Sequence, residues 1–574
     1  MDVSSPLLPH DAERILSDMI KHRADMDRRI TEMRMFINAS RPVNRLPVEL
    51  LVDISRWAHD GLLMHQYTAA YASQLERHVP WYPMIAVCRR WHSLVCATPM
   101  LWRLVRILPE TTMKSFKLGL SRANDLPISV SICSPSKVAF FGKVLARHRA
   151  RIASLHVQGV DRYQASSIYD LVQNQMPNLR TLSMLFDPEL VDLFDLLSHA
   201  VHGTLPIEER EVFMLELSLD CYPELRELSL RGVGLQGPLP WILGNPFPFP
   251  NLTLLELRDS IDPDCNIVEF VEFLGQCRCL QYLTIVRFRP MDRDFDTVVS
   301  HDLLRPLPVV ALAPTLRRLV LEDIDRYIAR LLSAFTVPAS TDIFLTKLVT
   351  TRDPNELRLA ADLVEEGFLT ALPDDTTRLP LVNLLTGVHF YLSHHSACLV
   401  ADAGERSMSI SIKVDRDCPS KLSPNIQGDI AELAAANEAI LGLTLVNVGD
   451  PKFGSHDLGD ILCSIPQMKT LSAFSVRPPQ REGFRSFPSD DEGLIATLET
   501  LLQRRRSQGM PLKRLRIELA GRGHNTDLSD EEQAAREARY LETLRPLVDH
   551  VECAHRTLVD HHDLEASLLD TSTS

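Results

Sequence analysis

One aliphatic pattern restricts the fold more than any other feature of this chain. It is L-x-x-L-x-L, where L is any aliphatic side chain, and it recurs throughout the sequence after residue 150. It reads Ile152/Leu155/Val157, Leu179/Leu182/Met184, Leu225/Leu228/Leu230, Leu252/Leu255/Leu257, Leu280/Leu283/Ile285 and Leu316/Leu319/Leu321. Weaker copies are Leu385/Val388/Phe390, Ile440/Leu443/Leu445 and Leu512/Leu515/Ile517. The second and third aliphatics of each copy stand two residues apart, the period of a strand that buries one face. A unit of strand, turn and returning helix cannot cover that face by itself, so successive copies must stack side by side.

The first residues of the six strong copies are 27, 46, 27, 28 and 36 residues apart. The short intervals fall within the roughly 20–29 residues of leucine-rich repeats, and the longer ones leave room for insertions. Several copies follow a helix-stop signal, as in Met176-Pro177-Asn178-Leu179, Tyr222-Pro223-Glu224-Leu225 and Phe249-Pro250-Asn251-Leu252. The asparagine that usually closes the strand turn of such repeats is mostly missing. Asp259 stands near that place in one copy, and Arg231-Gly232 follows the strand in another. The array is therefore irregular, and between residues 346 and 409 its periodicity almost disappears. Residues 494–503 and 530–544 are expected as helices, the second with Ser529 as cap and Glu532 three residues later.

The beginning of the chain has a different texture. Ile15, Met19, Met26, Ile30, Met33 and Ile37 keep to one side of a helix over residues 10–37, with charges on the rest. This stripe suits either a coiled-coil seam, which gives self-association through residues 10–37, or packing on the following domain. His22 also falls on the seam. A short link, Arg41-Pro42-Val43-Asn44-Arg45, leads to Leu46-Pro47-Val48-Glu49-Leu50-Leu51-Val52-Asp53-Ile54, a helix start with proline in its first turn. Leu46, Leu50, Leu51, Ile54 and Trp57 are expected on one face. A second helix over residues 84–96 turns Ile85, Cys88, Trp91, Leu94 and Val95 inward and Arg89, Arg90 and His92 outward. Thr98-Pro99-Met100-Leu101-Trp102 closes the segment.

In these residues the segment resembles the F-box family, and within it the fungal, basidiomycete type with coiled-coil-like N-terminal helices. The likeness lies in Leu46-Pro47-Val48-Glu49-Leu50-Leu51 with Ile54, then Val87-Cys88-Arg89-Arg90-Trp91 with Leu94, then Thr98-Pro99-Met100-Leu101-Trp102, in that order. Two departures stand out. Ser55 replaces a residue that is often bulky and apolar, and the stretch over residues 60–80 is long for the motif. The resemblance implies docking on a Skp-type adaptor, and through it a cullin, as the substrate adaptor of an SCF ubiquitin ligase complex in ubiquitin-dependent degradation. It assigns adaptor binding to Leu46, Pro47, Leu50, Leu51, Ile54, Trp91, Leu101 and Trp102. A physical reason stands beside it: a module of about sixty residues with this many large apolar groups has more than its core can hide. Leu46, Pro47 and Leu50 are expected outside, and Ile85, Cys88 and Val95 inside.

The rest of the composition excludes more than it identifies. A net charge of −14 disfavours generic nucleic-acid binding. No apolar run reaches the roughly 18–20 residues that span a bilayer, and residues 1–10 lack a basic region followed by an apolar core, so neither membrane insertion nor a secretory leader is expected. Eleven scattered cysteines suit a reducing compartment, cytoplasm or nucleus. Cys277 and Cys279 form a C-x-C without further ligands at finger spacing. His394-His395 and His561-His562-Asp563 are the tight histidine groupings, expected as surface, and Arg504-Arg505-Arg506 is expected as a solvated face. Residues 484–491 are expected as a mobile loop. No G-x-S-x-G, H-E-x-x-H or G-x-x-x-x-G-K-[ST] occurs, so no catalytic residue, metal or cofactor is expected.

The expected fold class is α/β: an all-α N-terminal helix (residues 1–41) and three-helix F-box (42–107), a linker and solenoid cap (108–150), an irregular leucine-rich-repeat solenoid (151–562) and a disordered tail (563–574). The expected function is that of a non-enzymatic receptor. The repeats bind an unknown target protein through strand residues, with Arg180, Glu227, Arg258, Tyr282 and Arg318 as candidates. Two alternatives stay open: a leucine-rich interaction scaffold outside any active ligase, and a leucine-rich hydrolase inhibitor.

Overall fold

The computed structural model describes residues 9–65, 82–133, 137–160, 165–186, 214–215, 217, 221–235, 249–262, 267–290, 307–349, 367–373, 375–392, 396–414, 429, 432–433, 440, 442–446, 467–474, 491–520 and 530–556. The chain divides into two compact units, Met1–Leu190 with Asp220–Tyr222 and Val191–Leu219 with Pro223–Ser574. The tail over residues 563–574, both histidine groupings, Ser529 and residues 484–490 lie outside the described residues.

The first unit opens with the helix Pro9–Ser40, whose side chains are exposed almost throughout. The helix Val48–His65, the helix Arg89–Ala97 and the 3-10 turn Pro99–Trp102 then pack on one another. The expected helix over residues 84–96 is in fact broken. Tyr82–Ile85 is one short turn, and Cys88 is extended (φ −165°, ψ 170°) as it caps Arg89–Ala97. Parallel strands follow in the order Leu104–Ile107, Ile128–Ile132, Ile152–Val160 and Thr181–Phe186. Helix Met113–Arg122 stands between the first two, with Thr112 and Ser115 closing a capping box at its start.

Within residues 108–150, expected as linker and solenoid cap, the strand Ile128–Ile132 continues a parallel array that starts at Leu104–Ile107. The register explains why the sequence pattern hides them. Val105 and Ile107 pair with Val130 and Ile132, which in turn pair with Leu155 and Val157. Three residues before Val105 stands Trp102, so Trp102/Val105/Ile107 is a copy of the pattern with tryptophan in the first place. In the next copy the pairing slips by one residue between Ile128 and Ser129, contracting L-x-x-L-x-L to I-x-V-x-I.

In the second unit the order of neighbouring strands is Glu227–Arg231, Leu254–Arg258, Tyr282–Val286, Arg318–Asp323, Asp342–Val349, Arg406–Val414, Ser396–Ala403, Gly387–Leu392, Gly442–Val446, Thr470–Phe474, Arg514–Ala520 and His550–Arg556. All described pairs are parallel except those of Ser396–Ala403, which runs against both neighbours. Where the pattern fades, a hairpin has been inserted: Ser396–Ala403 returns as Arg406–Val414 through Gly404-Glu405, with Gly404 at φ +70° as a two-residue turn requires. The register also reveals copies hidden by substitution, Met468/Leu471/Ala473 and Val548/Val551/Cys553.

The strands Glu227–Arg231, Leu254–Arg258, Tyr282–Val286 and Arg318–Asp323 bury their second and third pattern residues, Leu228, Leu230, Leu255, Leu257, Leu283, Ile285, Leu319 and Leu321, and leave most of the alternate side chains partly exposed. Helices Ile267–Gln276 and Asp325–Ala334 add Phe270, Leu274, Ile328 and Leu332 to that core. Phe270 meets Phe288 at a centroid distance of 4.7 Å. The backbone repeats as well. The N–H groups of Thr253, Gln281, Arg317 and Asp342 donate to the carbonyls of Arg226, Thr253, Gln281 and Arg317, at 2.7–2.8 Å. Just past three strands stand Gly232, Asp259 and Arg287, at φ +68°, +49° and +47°. Their N–H groups donate to the carbonyls of Arg258, Val286 and Glu322 at 2.8–2.9 Å. This left-handed turn does the work of the missing repeat asparagine. The Asp259 carboxylate joins two of these turns, reaching Arg231 at 3.5 Å and Arg287 at 2.5 Å.

Two stability measurements follow. Trp102 is buried and donates from its indole N–H to the Val95 carbonyl at 2.7 Å. Trp102→Ala is expected to cost about 3–5 kcal/mol in denaturant unfolding of the first unit. Gly232→Val forces a branched side chain into the left-handed region and is expected to lower the stability of the second unit by about 1–2 kcal/mol or more, where Gly232→Asn costs less.

Candidate functional site

The helix Val48–His65 has two apolar sides of different fate. Leu51 is fully buried, and Ser55 is 1% exposed with its hydroxyl donating to the Leu51 carbonyl at 2.6 Å. The small serine turns its side of the helix inward without requiring a large cavity. On the other side Pro47, Leu50, Ile54 and Trp57 follow one another at helical spacing. Leu50 and Ile54 are each 48% exposed and Trp57 is 73% exposed. Val48, Val87 and Met100 are further exposed apolar side chains of the same segment. Four large apolar groups in a row with no described element over them form the kind of patch that marks a partner site.

Polar contacts hold this stripe in place from behind. Asn44 is buried. Its side-chain amide donates to the Asn38 carbonyl at 2.7 Å, and its oxygen accepts the indole N–H of Trp91 at 2.6 Å. Arg90 donates to the Leu46 carbonyl at 2.7 Å. The residues assigned to adaptor binding therefore separate. Pro47, Leu50 and Ile54 lie on the surface, and Leu46 and Trp91 are half-buried. Leu51, Leu101 and Trp102 lie in the core, where Trp102 is taken up by the first repeat and Arg122 stacks on its ring at 4.4 Å. Trp57, Val87 and Met100 were not singled out for the surface. The spacing of Trp57 from Leu50 and Ile54 was the available signal.

In the second unit the half-exposed side of the strands sets side chains in rows. Glu227, Leu254, Tyr282, Arg318 and Asp342 are register partners in sequence across five strands, and Ser229, Glu256, Thr284, Val320 and Phe344 form the next row. Arg258 stands one row further on, beside Arg231. Four of the five target-binding candidates thus share this face. Arg180 does not: it is exposed, belongs to the other unit and precedes its strand, its N–H donating to the Ala153 carbonyl at 2.8 Å.

The charges of this face are largely matched to one another. Glu256 accepts from Ser229 at 2.7 Å and pairs closely with Arg258. Asp342 pairs with Arg406 at 3.2 Å and accepts the Ser407 N–H, while the Arg318 guanidinium lies 4.5 Å from the Phe344 ring centroid. Lys413 reaches Glu322 at 3.6 Å.

Other groups with chemical potential are occupied structurally. Lys347 is buried 3.6 Å from Asp325, donates to the Gly367 carbonyl at 2.7 Å and bonds Thr370. Asp429 accepts the N–H groups of Phe368 and Leu369 at 2.6 and 3.2 Å. Gly367, at φ +89°, is needed there because a Cβ would stand 2.5 Å from that carboxylate. Arg504-Arg505-Arg506 is not simply a solvated face: Arg505 is buried and donates to the Met468 carbonyl at 3.1 Å, and Arg506 donates to the Pro546 carbonyl at 2.6 Å. Of the C-x-C pair, Cys277 is buried, which pushes its thiol pKa far up, and Cys279 is exposed. Among the described residues no group of three His, Cys, Asp or Glu side chains could hold a metal ion, and no helix is long and apolar enough to cross a membrane.

No model of a known protein family matches the chain, so neither the F-box resemblance nor its fungal type finds support there. No curated protein matches it either. Among solved structures it is similar to the leucine-rich repeat-containing protein LegL7 from Legionella pneumophila, at 12% identity and a TM-score of 0.21, over 63% of this chain and 90% of that one.

Two buried titratable groups give opposite pH dependences. Burial lowers His156 from 6.5 to about 4, so the unfolded chain binds more protons between those values. Its contribution to stability is complete above pH 6.5 and falls as pH drops towards 4, by up to about 3 kcal/mol. Burial chiefly raises Asp429 from 3.8 to about 6, against the opposing pull of its two N–H donors and Lys347; Glu432 adds to the rise. Here the folded state binds more protons, so this group favours the native state as pH falls from 6 to 4. Unfolding titrations should show His156→Gln losing the acid sensitivity of the first unit. Asp429→Asn should remove the opposite slope from the second.

Proposed function

We propose that this chain is a non-catalytic substrate receptor of an SCF-type ubiquitin ligase. Its segment over residues 42–107 acts as an F-box that docks a Skp-type adaptor and, through it, a cullin. A leucine-rich-repeat solenoid presents a target protein on the open strand face carrying Glu227, Arg258, Tyr282 and Arg318. The mechanism is proximity: tethering raises the effective concentration of target lysines near the charged enzyme. The reading places the protein in the cytoplasm or nucleus.

One observation carries it. Pro47, Leu50, Ile54 and Trp57 stay exposed along one flank of the fully packed side of the helix, at Leu51 and Ser55. An ordinary closing helix would turn its tryptophan inward and its serine outward. Aromatic and aliphatic anchors left in this order fit insertion into a partner's groove, with Arg89 and Arg90 at the rim.

A second reading, an interaction scaffold outside any active ligase, draws on the loss of Leu101 and Trp102 to the core, which leaves a smaller docking face. Co-purification separates the two. The receptor recovers adaptor and cullin together, and the scaffold recovers adaptor alone or neither. Leu50→Asp with Ile54→Asp is expected to weaken adaptor binding at least thirty-fold, or about 2 kcal/mol, with unchanged thermal unfolding. Retention of full adaptor binding by that pair would remove the docking face from the reading. Leu51→Asp is instead expected to unfold the module.

A further inference from the structure

We infer that the helix Pro9–Ser40 is a self-association element whose partner is the same helix of a second copy of this chain. This goes beyond the receptor reading and does not depend on it.

The helix has 32 residues, and no described element covers its apolar side. Ile15, Met19, Met26, Ile30, Met33 and Ile37 are between 44% and 65% exposed, an amount of apolar surface that a lone helix rarely keeps in water. The six residues and His22 lie on one narrow stripe. Ile15, Met26 and Ile37 are eleven residues apart, as are Met19 and Ile30, and His22 and Met33. An eleven-residue period is close enough to the helical repeat to keep a stripe facing one partner along its whole length.

Two features point to a second copy rather than to a different protein. The stripe is symmetric about Met26: Ile15 mirrors Ile37, Met19 mirrors Met33 and His22 mirrors Ile30. A second copy therefore presents the same spacing whichever way it runs. The charges agree. Asp11, Glu13, Asp18, Asp25, Asp27 and Glu32 are balanced by Arg14, Lys21, Arg23, Arg28, Arg29 and Arg34, although the whole chain carries −14. Beside the stripe, Arg23 and Asp27 flank one edge and Asp25 and Arg29 the other, so in either orientation opposite-charge neighbours two residues along outnumber like-charge ones by two to one at each edge. A strongly acidic or basic partner would gain nothing from a neutral surface, whereas an identical one gains a net attraction along both edges.

The test is the mass of the full chain by light scattering at about 10 µM, near the affinity range of modest coiled coils. The native chain should have twice its monomer mass. Met26→Glu with Ile30→Glu, on the stripe, should raise the dimer dissociation constant at least a hundredfold and give monomer. Ser17→Glu with Ala24→Glu adds the same charge on the opposite side of the helix and should leave the dimer intact. A monomeric native chain overturns the inference, and so does a stripe variant that stays dimeric. Loss of the dimer in both variants overturns it too, since the effect would then not belong to the stripe. Adaptor binding, measured alongside, should be the same in all three.

Discussion

Every repeat in this protein leaves one apolar strand face that only its neighbours can cover. In a parallel pair a slip of one residue would turn Leu228 and Leu230, or Leu319 and Leu321, from the core to water. The register is therefore held twice at the backbone: at the strand entry by the N–H series from Thr253 to Asp342, and at its exit by the left-handed turns of Gly232, Asp259 and Arg287. With both ends fixed, the length of chain between copies matters little, because closing a longer loop adds only a logarithmic cost. Intervals of 27 and 36 residues can thus coexist within the second unit. The inserted hairpin obeys the same constraint, since Leu399, Ala401, Met408 and Ile410 all enter the core although one strand runs backwards.

Trp102 links this constraint to the helices before it. Its ring fills the first pattern position ahead of Val105 and Ile107, and its N–H is held by the Val95 carbonyl of helix Arg89–Ala97. Trp91 is tied in turn to Asn44, which holds the Asn38 carbonyl. Through these contacts the described residues 38–65 and 82–107, the apolar stripe and the first strand among them, are built as one packed piece. Under the receptor reading it sets the direction in which the first strands leave the adaptor.

The legible parts of the sequence were those where burial and spacing coincide. All nine written copies of the pattern lie on strands or at their entries, and helix Asp530–Leu544 has the bounds its periodicity gives. What stayed hidden had a local cause. Trp102 was assigned to a partner because a tryptophan in an F-box-like ending and a tryptophan in an aliphatic repeat position look alike in sequence. The copy at Ile128 was lost to a one-residue contraction, and those at Met468 and Val548 to residues as small as Ala473 and as ambiguous as Cys553. The docking stripe was half legible. Leu50, Leu51 and Ile54 are all apolar, and only packing decides that Leu51 goes inward. Arg505 shows the reverse error, a charge taken into the core because a backbone carbonyl was there to receive it.

The open strand face has a consequence for recognition. Several of its carboxylates are already paired, Glu256 with Arg258 and Asp342 with Arg406, and Asp259 in the adjoining turn with two arginines. Under the receptor reading, a target gains less than the full energy of a new ion pair at those residues, because the contact must first replace an existing one. Under the same reading, such a face is expected to discriminate by arrangement more than it attracts by charge. Tyr282, 39% exposed in the middle of its row, offers apolar area that displaces no ion pair. Under the receptor reading, binding through it is expected to be specific and individually weak, and two copies of the face linked as inferred for the N-terminal helices would add affinity through effective concentration.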